Sequence, residues 1–245
     1  MDRDPSFAAA AGGGITISQT VYVALGDSTG VGMGARKGGG YVDRLFHRLQ
    51  RVQPCSRLFN LCVSGATSGD ALREQVDAAA LLRPTVVTLC IGINDVTRDV
   101  AVGEFGANIR AMILRLKAAG APQIVLSNLP DVSLAPIVPR MMRGIAHRRV
   151  SAYNRCIGEL AGEHEVTLVD MYQHSREMIP AHPEFFSPDR FHPSDEGYEY
   201  WAFVMWPSLK AALRQAAPSL SLSTTGEVLK MDRALLRRSQ PEIAR

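Results

Sequence analysis

The stretch from residue 20 to residue 30 reads TVYVALGDSTG. Its first part is a short apolar run, rich in β-branched side chains, that ends in glycine, which is typical of a buried strand entering a tight loop. A strand that is apolar at nearly every position leaves no face for solvent. We therefore expect this strand to lie in a sheet that is covered on both sides.

Four further runs of this kind follow along the chain, and amphipathic helical patterns separate them. The predicted strands are residues 20–26, 57–63, 85–91, 123–127 and 166–170. The predicted helices are residues 41–52, 68–82, 105–119, 141–163 and 194–216, the last with Ser194 as its N-cap. Buried strands that alternate with helices indicate a parallel sheet between two helical layers. We predict an α/β fold, a three-layer α/β/α sandwich with a five-stranded parallel sheet.

Length and composition indicate one globular domain. The chain has 245 residues, of which 46% are hydrophobic and 21% charged, a balance that excludes an intrinsically disordered protein. We predict a domain over residues 20–217, a flexible segment over residues 1–19 and a tail over residues 218–245. Residues 227–238 could form a basic amphipathic helix in peripheral contact with a membrane, although we favour a loosely docked tail.

Charge and cysteine usage exclude several other classes of function. A net charge of +3 is too small to predict a nucleic-acid partner. The N-terminus lacks the cationic start of a secretory signal, and no apolar run is long enough to span a membrane. The cysteines lack the spacing of a zinc site, so we expect no metal, free thiols and a cytoplasmic location; they are Cys55, Cys62, Cys90 and Cys156.

Function should be sought in the loops that follow the strands, because ligands bind beyond the carboxyl ends of such sheets. Three loops qualify, over residues 26–34, 64–69 and 92–95. The first contains Ser28 in the sequence GDSTG. This serine has three interpretations: the nucleophile elbow of an α/β-hydrolase, part of a dinucleotide fingerprint, or a residue of a tight turn.

Context weakens two of these interpretations. An α/β-hydrolase nucleophile lies late in the sheet order and follows an oxyanion motif, whereas only 27 residues precede Ser28 and no HGGG-type run is present. A dinucleotide site needs an acidic residue at the end of the second strand. The sequence there is LCVSG, over residues 61–65, so nucleotide binding is not expected.

The other two loops offer hydrogen-bond donors to a catalytic serine. Ester hydrolysis passes through a tetrahedral oxyanion, and donors held near the nucleophile stabilise it. Candidate donors are the backbone N–H groups of Ser28 and Gly65 and the side-chain amide of Asn94. The alternatives are an ordinary turn glycine at residue 65 and a turn or cap residue at residue 94.

A base for the serine lies in the segment SPDRFHP, residues 187–193. A serine hydroxyl needs a neutral imidazole to accept its proton, and the imidazole needs a carboxylate to fix its tautomer. Asp189 and His192 supply both groups within one turn of chain. The remaining histidines lack an aspartate three residues earlier; they are His47, His147, His164, His174 and His182.

Together these residues form four short blocks in a fixed order. The blocks are Gly26-Asp27-Ser28, Gly65, Gly92-Ile93-Asn94-Asp95 and Asp189-Arg190-Phe191-His192. Over residues 20–216, the chain resembles the SGNH, or GDSL-type, hydrolase family in the order and position of these blocks.

The resemblance implies a flavodoxin-like sandwich, no cofactor and a defined set of site residues. Ser28 is the implied nucleophile, His192 the base and Asp189 the group that orients the base. Ser28, Gly65 and Asn94 form the implied oxyanion hole.

Three positions around these blocks have other expected roles. Thr29 stands where the family usually has leucine, from which we expect an altered pocket wall. Asp27 and Asp95 belong to the blocks, and we expect them to brace their loops by hydrogen bonds.

The predicted function is hydrolysis of carboxylic esters of small molecules, of the esterase or lipase type. Members of the family also act on thioesters and acetylated sugars, so a thioesterase or a carbohydrate O-deacetylase is the alternative. A non-catalytic binder on the same fold is a further alternative, although it would not need Asp189 and His192 together. The apolar segment over residues 130–142 could wall an acyl pocket beside Ser28 or pack on the core.

Overall fold

A computed structural model describes residues 19–120 and 122–216. Its strands are β1 (Val21–Gly26), β2 (Arg57–Asn60), β3 (Val86–Cys90), β4 (Gln123–Ser127) and β5 (Thr167–Val169). Within the described residues they form one sheet in the order β2-β1-β3-β4-β5, and every neighbouring pair is parallel. This is the flavodoxin-like order. The predicted five-stranded parallel sheet is confirmed.

Helices connect the strands. The α-helices of the described part are α1 (Ser28–Val31), α2 (Tyr41–Val52), α3 (Ser68–Glu74), α4 (Val76–Leu81), α5 (Ile93–Thr97), α6 (Val102–Ala118), α7 (Arg143–Glu163), α8 (Met171–Met178) and α9 (Asp195–Ala216). Short 3₁₀ turns lie at Val132–Leu134, Arg140–Met142, Ile179–Ala181 and Pro183–Phe185.

The sheet separates two hydrophobic cores because successive side chains of a strand point to opposite faces. Val23 and Leu25 of β1 lie in one core, which α3, α4, α6 and α7 cover. Tyr22 and Ala24 lie in the other core, which α2 and α9 cover. All five residues of β3 are buried, as the near-continuous apolar pattern predicts. The three-layer sandwich is confirmed.

The predicted helix over residues 68–82 is wrong in one respect, because it is divided into α3 and α4 at Gln75. The cause is a long-range contact. The Gln75 side chain accepts a hydrogen bond from the Gly26 N–H and donates one to the Gly26 carbonyl, each at 2.9 Å. A buried glutamine that must reach β1 in this way fixes the position of the chain at the break.

Several element ends differ from their predicted positions. The strand predicted over residues 57–63 ends at Asn60, although the N–H groups of Leu61 and Val63 still donate to the carbonyls of β1. The predicted strand over residues 166–170 is limited to three residues, and the helix predicted from residue 105 already begins at Val102. Helix α8 and the short helices α1 and α5 are additional to the predicted elements.

The last helix begins as predicted. The Ser194 hydroxyl accepts a hydrogen bond from the Gly197 N–H at 3.2 Å, which is the contact of an N-cap side chain.

Some predictions fall on other parts of the chain. The segment over residues 1–18, the tail over residues 218–245 and its helix over residues 227–238 lie outside the described residues. Among the residues that the structure describes, no helix is both long and apolar enough to cross a membrane. All four cysteines are free thiols, and Cys90 is buried.

Candidate active site

Ser28 lies at the carboxyl end of β1, where it is the first residue of α1. Asp27 caps this short helix, because its Oδ1 accepts hydrogen bonds from the N–H and the hydroxyl of Thr29. Gly30 follows in a place where a Cβ would collide with the Cys62 sulfur. The tight turn that the sequence predicts therefore requires glycine for lack of space. It leaves the Ser28 side chain partly exposed.

The structure brings His192 and Asp189 to this serine. His192 Nε2 lies 3.0 Å from Ser28 Oγ, and His192 Nδ1 lies 2.7 Å from Asp189 Oδ2. An imidazole that donates from Nδ1 to the carboxylate has Nε2 free to accept from the hydroxyl. Ser28 and His192 are 164 residues apart in sequence, so only the fold makes this contact.

The loop over residues 187–192 orients the imidazole through local hydrogen bonds. The Ser187 N–H donates to the His192 carbonyl at 2.8 Å, which closes the loop, and Arg190 adopts a left-handed backbone conformation with φ 66°. Asp189 Oδ1 accepts from the Ser187 hydroxyl and from the backbone N–H groups of Phe191 and His192. Asp189 Oδ2 is thereby left for the imidazole.

Hydrogen bonds control the charge of Asp189. Partial burial raises the pKa of its carboxyl, but the donors of His192, Phe191 and Ser187 lower this pKa more, so the net shift is to well below the ordinary value. Asp189 is therefore ionised at neutral pH, as a partner for an imidazolium must be.

Gly65 and Asn94 lie in the loops that follow β2 and β3. Gly65 has φ 80°, in the left-handed region that favours glycine. Asn94 Nδ2 donates one hydrogen to the Ala66 carbonyl at 2.9 Å, which joins the two loops and leaves its second hydrogen available. Within the described residues, the N–H groups of Ser28 and Gly65 have no protein acceptor.

The family model of the GDSL-like lipase/acylhydrolase family matches residues 24–200. The chain belongs to this family. The family assignment groups the protein with the carboxylic ester hydrolases, in agreement with the resemblance that the four sequence blocks indicate.

Two curated relatives and one solved structure illustrate the similarity. A GDSL-like esterase of Mycobacterium tuberculosis is 27% identical over 198 residues, which are 78% of this chain but only 62% of that protein, less than two thirds of its length. Esterase TesA of Pseudomonas aeruginosa is 26% identical over 80% of this chain and 90% of that protein. The crystal structure of Axe2, an acetylxylan esterase from Geobacillus stearothermophilus, superimposes with a TM-score of 0.64 at 24% identity, over 79% of this chain and 94% of that one. At that identity, the structural likeness shows the fold alone.

Asp27 and Asp95 of this GDSL-like hydrolase are buried beneath the site. Asp95 accepts hydrogen bonds from the N–H and the hydroxyl of Ser68, at 2.8 and 2.6 Å, and so ties the loop after β3 to the start of α3. Burial raises the pKa of both aspartates, and the hydrogen bonds they accept only partly offset this effect. These hydrogen bonds hold the loops that follow β1 and β3.

Gln75 was not among the residues predicted from the sequence, although its side chain forms hydrogen bonds with both backbone groups of Gly26, two residues before Ser28. A signal for it was present. Ala71, Gln75 and Ala79 recur at a spacing of four on the buried side of the predicted helix, and a polar residue in such a stripe needs a buried partner.

A second aspartate–histidine pair was also not predicted from the sequence. His147 Nδ1 lies 3.0 Å from Asp131 Oδ2, an oxygen that also accepts from Arg176 at 2.7 Å. The residues are 16 positions apart, so no local spacing reveals them. The same Nδ1 lies 3.2 Å from the Tyr172 hydroxyl. Within the described residues no serine hydroxyl contacts the ring nitrogens of His147, unlike those of His192.

Proposed function

We propose that this protein hydrolyses carboxylic esters, with Ser28 as nucleophile and His192 as general base. In this proposal Asp189 orients the imidazole of His192 and stabilises its protonated form. The observation that carries the proposal is the continuous hydrogen-bond chain from Ser28 Oγ through both imidazole nitrogens to Asp189 Oδ2. Its distances, 3.0 and 2.7 Å, are within the range for proton transfer. Membership of a family of ester hydrolases supports the same reaction.

In the proposed acylation step, Ser28 Oγ attacks the ester carbonyl carbon while its proton moves to His192 Nε2. The carbonyl π electrons move to oxygen and give a tetrahedral oxyanion. When the oxyanion collapses, the bond to the alkoxy group breaks, and His192 returns the proton to the leaving alcohol. The ionised Asp189, whose pKa is lowered in the fold, stabilises the transient imidazolium.

The proposed oxyanion hole consists of the Ser28 N–H, the Gly65 N–H and the second hydrogen of the Asn94 amide. The support is that Asn94 is already oriented by the Ala66 carbonyl and that the two N–H groups have no acceptor within the described residues. Preorganised donors of this kind are worth about 2.7–4 kcal/mol each to the transition state. In deacylation, water loses a proton to His192 and attacks the acyl carbon, the bond from that carbon to Ser28 Oγ breaks, and His192 returns the proton to Ser28 Oγ as the acid is released.

The acyl group is open to two candidates. Short or medium acyl esters are our first choice, and an acetylated sugar is the second because the chain is 26% identical over 174 residues to an acetylxylan esterase of Geobacillus stearothermophilus. Pro130, Val132 and Ala135 of the predicted acyl-pocket segment line an apolar pocket together with Phe191 and Pro193, which flank His192 in sequence. Ser28 is not among the lining residues of this pocket.

A fluorophosphonate probe tests the proposal, because only an activated serine attacks its phosphorus and displaces fluoride. We expect labelling of the native chain at Ser28, and turnover of aryl esters that falls by a factor of roughly 10⁴ or more in Ser28→Ala. The matched control is Ser194→Ala, which removes a hydroxyl outside the site. The acyl groups are then ranked by the turnover of aryl acetate, aryl butyrate, aryl decanoate and an acetylated xylo-oligosaccharide. Near-normal ester turnover by folded Ser28→Ala would refute the proposal, and absence of labelling and turnover in the native chain would favour a non-catalytic binder.

A further inference from the structure

Exposed hydrophobic side chains are concentrated at one end of the molecule. Seven of the twelve large hydrophobic residues that are exposed in the described part lie in three segments; they are Val31, Met33, Val63, Ile137, Met141, Met142 and Ile145. The first three follow β1 and β2, and the others lie between β4 and the first turn of α7. All three segments are therefore at the carboxyl end of the sheet, where Ser28 is located.

The segment over residues 137–148 carries the largest share of this exposure. Met141 is 87% exposed, the highest value among these side chains. Ile145 follows Met141 by four residues and Met142 by three. The two methionines lie in a 3₁₀ turn that continues into α7, and Ile145 lies in the first turn of that helix. Side chains at this spacing share one side of a helical segment. The three side chains thus form one apolar face that is 87% exposed at Met141 and 43–44% exposed at Ile145 and Met142.

This segment is attached to the loop that holds His192. The Ile137 N–H donates to the Arg190 carbonyl at 3.1 Å, and Arg190 Nη2 donates to the Pro136 carbonyl at 2.9 Å. Arg190 lies between Asp189 and His192 in sequence. A surface that binds through the segment would therefore lie beside the entrance to the candidate active site.

The same segment is strongly basic. Arg140, Arg143 and Arg148 are exposed and form no ion pair within residues 19–120 and 122–216, and no acidic residue occurs between Asp131 and Glu159. Apolar side chains flanked by arginines match the chemistry of an anionic lipid surface. The apolar side chains can insert among the acyl chains, and the arginines can bind the phosphates.

We propose that residues 137–148 form a docking surface for anionic phospholipid membranes, with Met141, Met142 and Ile145 inserted at the interface and the arginines on the phosphates. Charge argues against two other occupants. A second copy of the chain would bring arginine against arginine, and residues 218–245 contain five basic and three acidic residues, so they carry the same sign. Binding does not depend on catalysis. Only its consequence, access of Ser28 to esters within the lipid layer, rests on the proposed function.

Sedimentation with lipid vesicles tests the docking surface. We expect the full chain to bind vesicles of phosphatidylcholine and phosphatidylglycerol (7:3) and to bind pure phosphatidylcholine vesicles far less. Replacing Arg140 and Arg143 with glutamine should lower the partition coefficient roughly 30-fold, since each arginine near an anionic surface contributes about 1 kcal/mol. The double variant Met141→Gln, Ile145→Gln should lower it about tenfold through lost apolar burial.

Matched controls lie at the opposite end of the molecule. Leu81→Gln removes an exposed side chain at the end of α4, and Arg51→Gln removes an exposed arginine near the end of α2; neither should change binding. Ser28→Ala should bind like the native chain, which separates docking from catalysis. All four surface variants should retain native turnover of a water-soluble aryl ester.

Four outcomes would overturn the docking proposal. The first is equal binding to both kinds of vesicle. The second is undiminished binding by the segment variants. The third is loss of binding in Arg237→Gln, Arg238→Gln but not in the segment variants, which would transfer the membrane contact to the tail. If the segment variants instead dissociate an oligomer on gel filtration and vesicle binding is absent, the face is an interface between copies of the chain.

Discussion

The two halves of the candidate active site are built in different ways. The half that contains Ser28, Gly65 and Asn94 rests on buried, long-range hydrogen bonds, such as the two between Gln75 and Gly26, which are 49 residues apart. The half that contains His192 is an exposed loop, and the bonds that orient its ring join residues at most five positions apart. The fold therefore fixes the proposed nucleophile and oxyanion donors, whereas the local chain fixes the proposed base.

The aspartates of the two halves have pKa values that are shifted in opposite directions. Burial raises the pKa of Asp27 and Asp95, which brace the strand-end loops. Donated hydrogen bonds hold the pKa of Asp189 below its ordinary value. A carboxylate that must stay charged is thus found where solvent and local donors reach it, and the bracing carboxyls are found where ionisation is costly.

The largest expected effect is a loss of activity from a substitution at Asp189, in the half of the site that contains His192. Asp189→Asn retains an oxygen for the Ser187, Phe191 and His192 donors but no longer fixes the imidazole tautomer. We expect kcat/KM for an aryl ester to fall by a factor of roughly 10⁴, whereas the free energy of unfolding at neutral pH should fall only modestly, because solvent screens the half-exposed Asp189 charge. Steady-state kinetics and urea unfolding measure the two quantities. A loss below tenfold would show that the carboxylate does not orient the base.

The second largest expected effect lies in the buried half, where a substitution should reduce stability more than activity. Gln75→Ala leaves the Gly26 N–H buried without a partner, and we expect the free energy of unfolding to fall by about 3 kcal/mol. The loss in kcat/KM of the folded protein should be smaller than that of Asp189→Asn. Urea unfolding at neutral pH is the measurement, and the exposed neighbour Glu74→Ala is the control. Equal stability of the two variants would contradict the role given to Gln75.

The smallest expected effect is a difference in how the stability of two aspartate variants depends on pH. Because the pKa of Asp27 is raised in the fold, ionisation costs stability there, and this cost is absent below the unfolded value of about 3.9. The stability of Asp27→Asn relative to the native chain should therefore increase from pH 3.5 to pH 7. Asp189→Asn should change in the opposite direction, because a lowered pKa stabilises the fold above the unfolded value. Unfolding curves at both pH values decide this, and parallel pH dependences of the two variants would refute it.

Local sequence patterns were sufficient for most of the fold. Helix α2 has the predicted bounds, and β1 and β3 each begin one residue later than predicted, because their apolar periodicity and flanking glycines are local signals. The break at Gln75 was not predictable in the same way, since it depends on a partner in β1. The pair of Asp131 and His147 likewise joins the segment after β4 to α7 only in the folded chain.

By itself, the sequence determined the alternation of strands and helices, the turn at Ser28 and the pairing of Asp189 with His192, because each is encoded within a few neighbouring residues. Only the tertiary structure decided that Ser28 Oγ and His192 Nε2 lie 3.0 Å apart, and that the apolar, basic segment over residues 137–148 joins the His192 loop through Arg190. The physical reason is chain closure. Contacts across 50 to 160 residues are set by the packing of helices on a common sheet, and no local propensity specifies them.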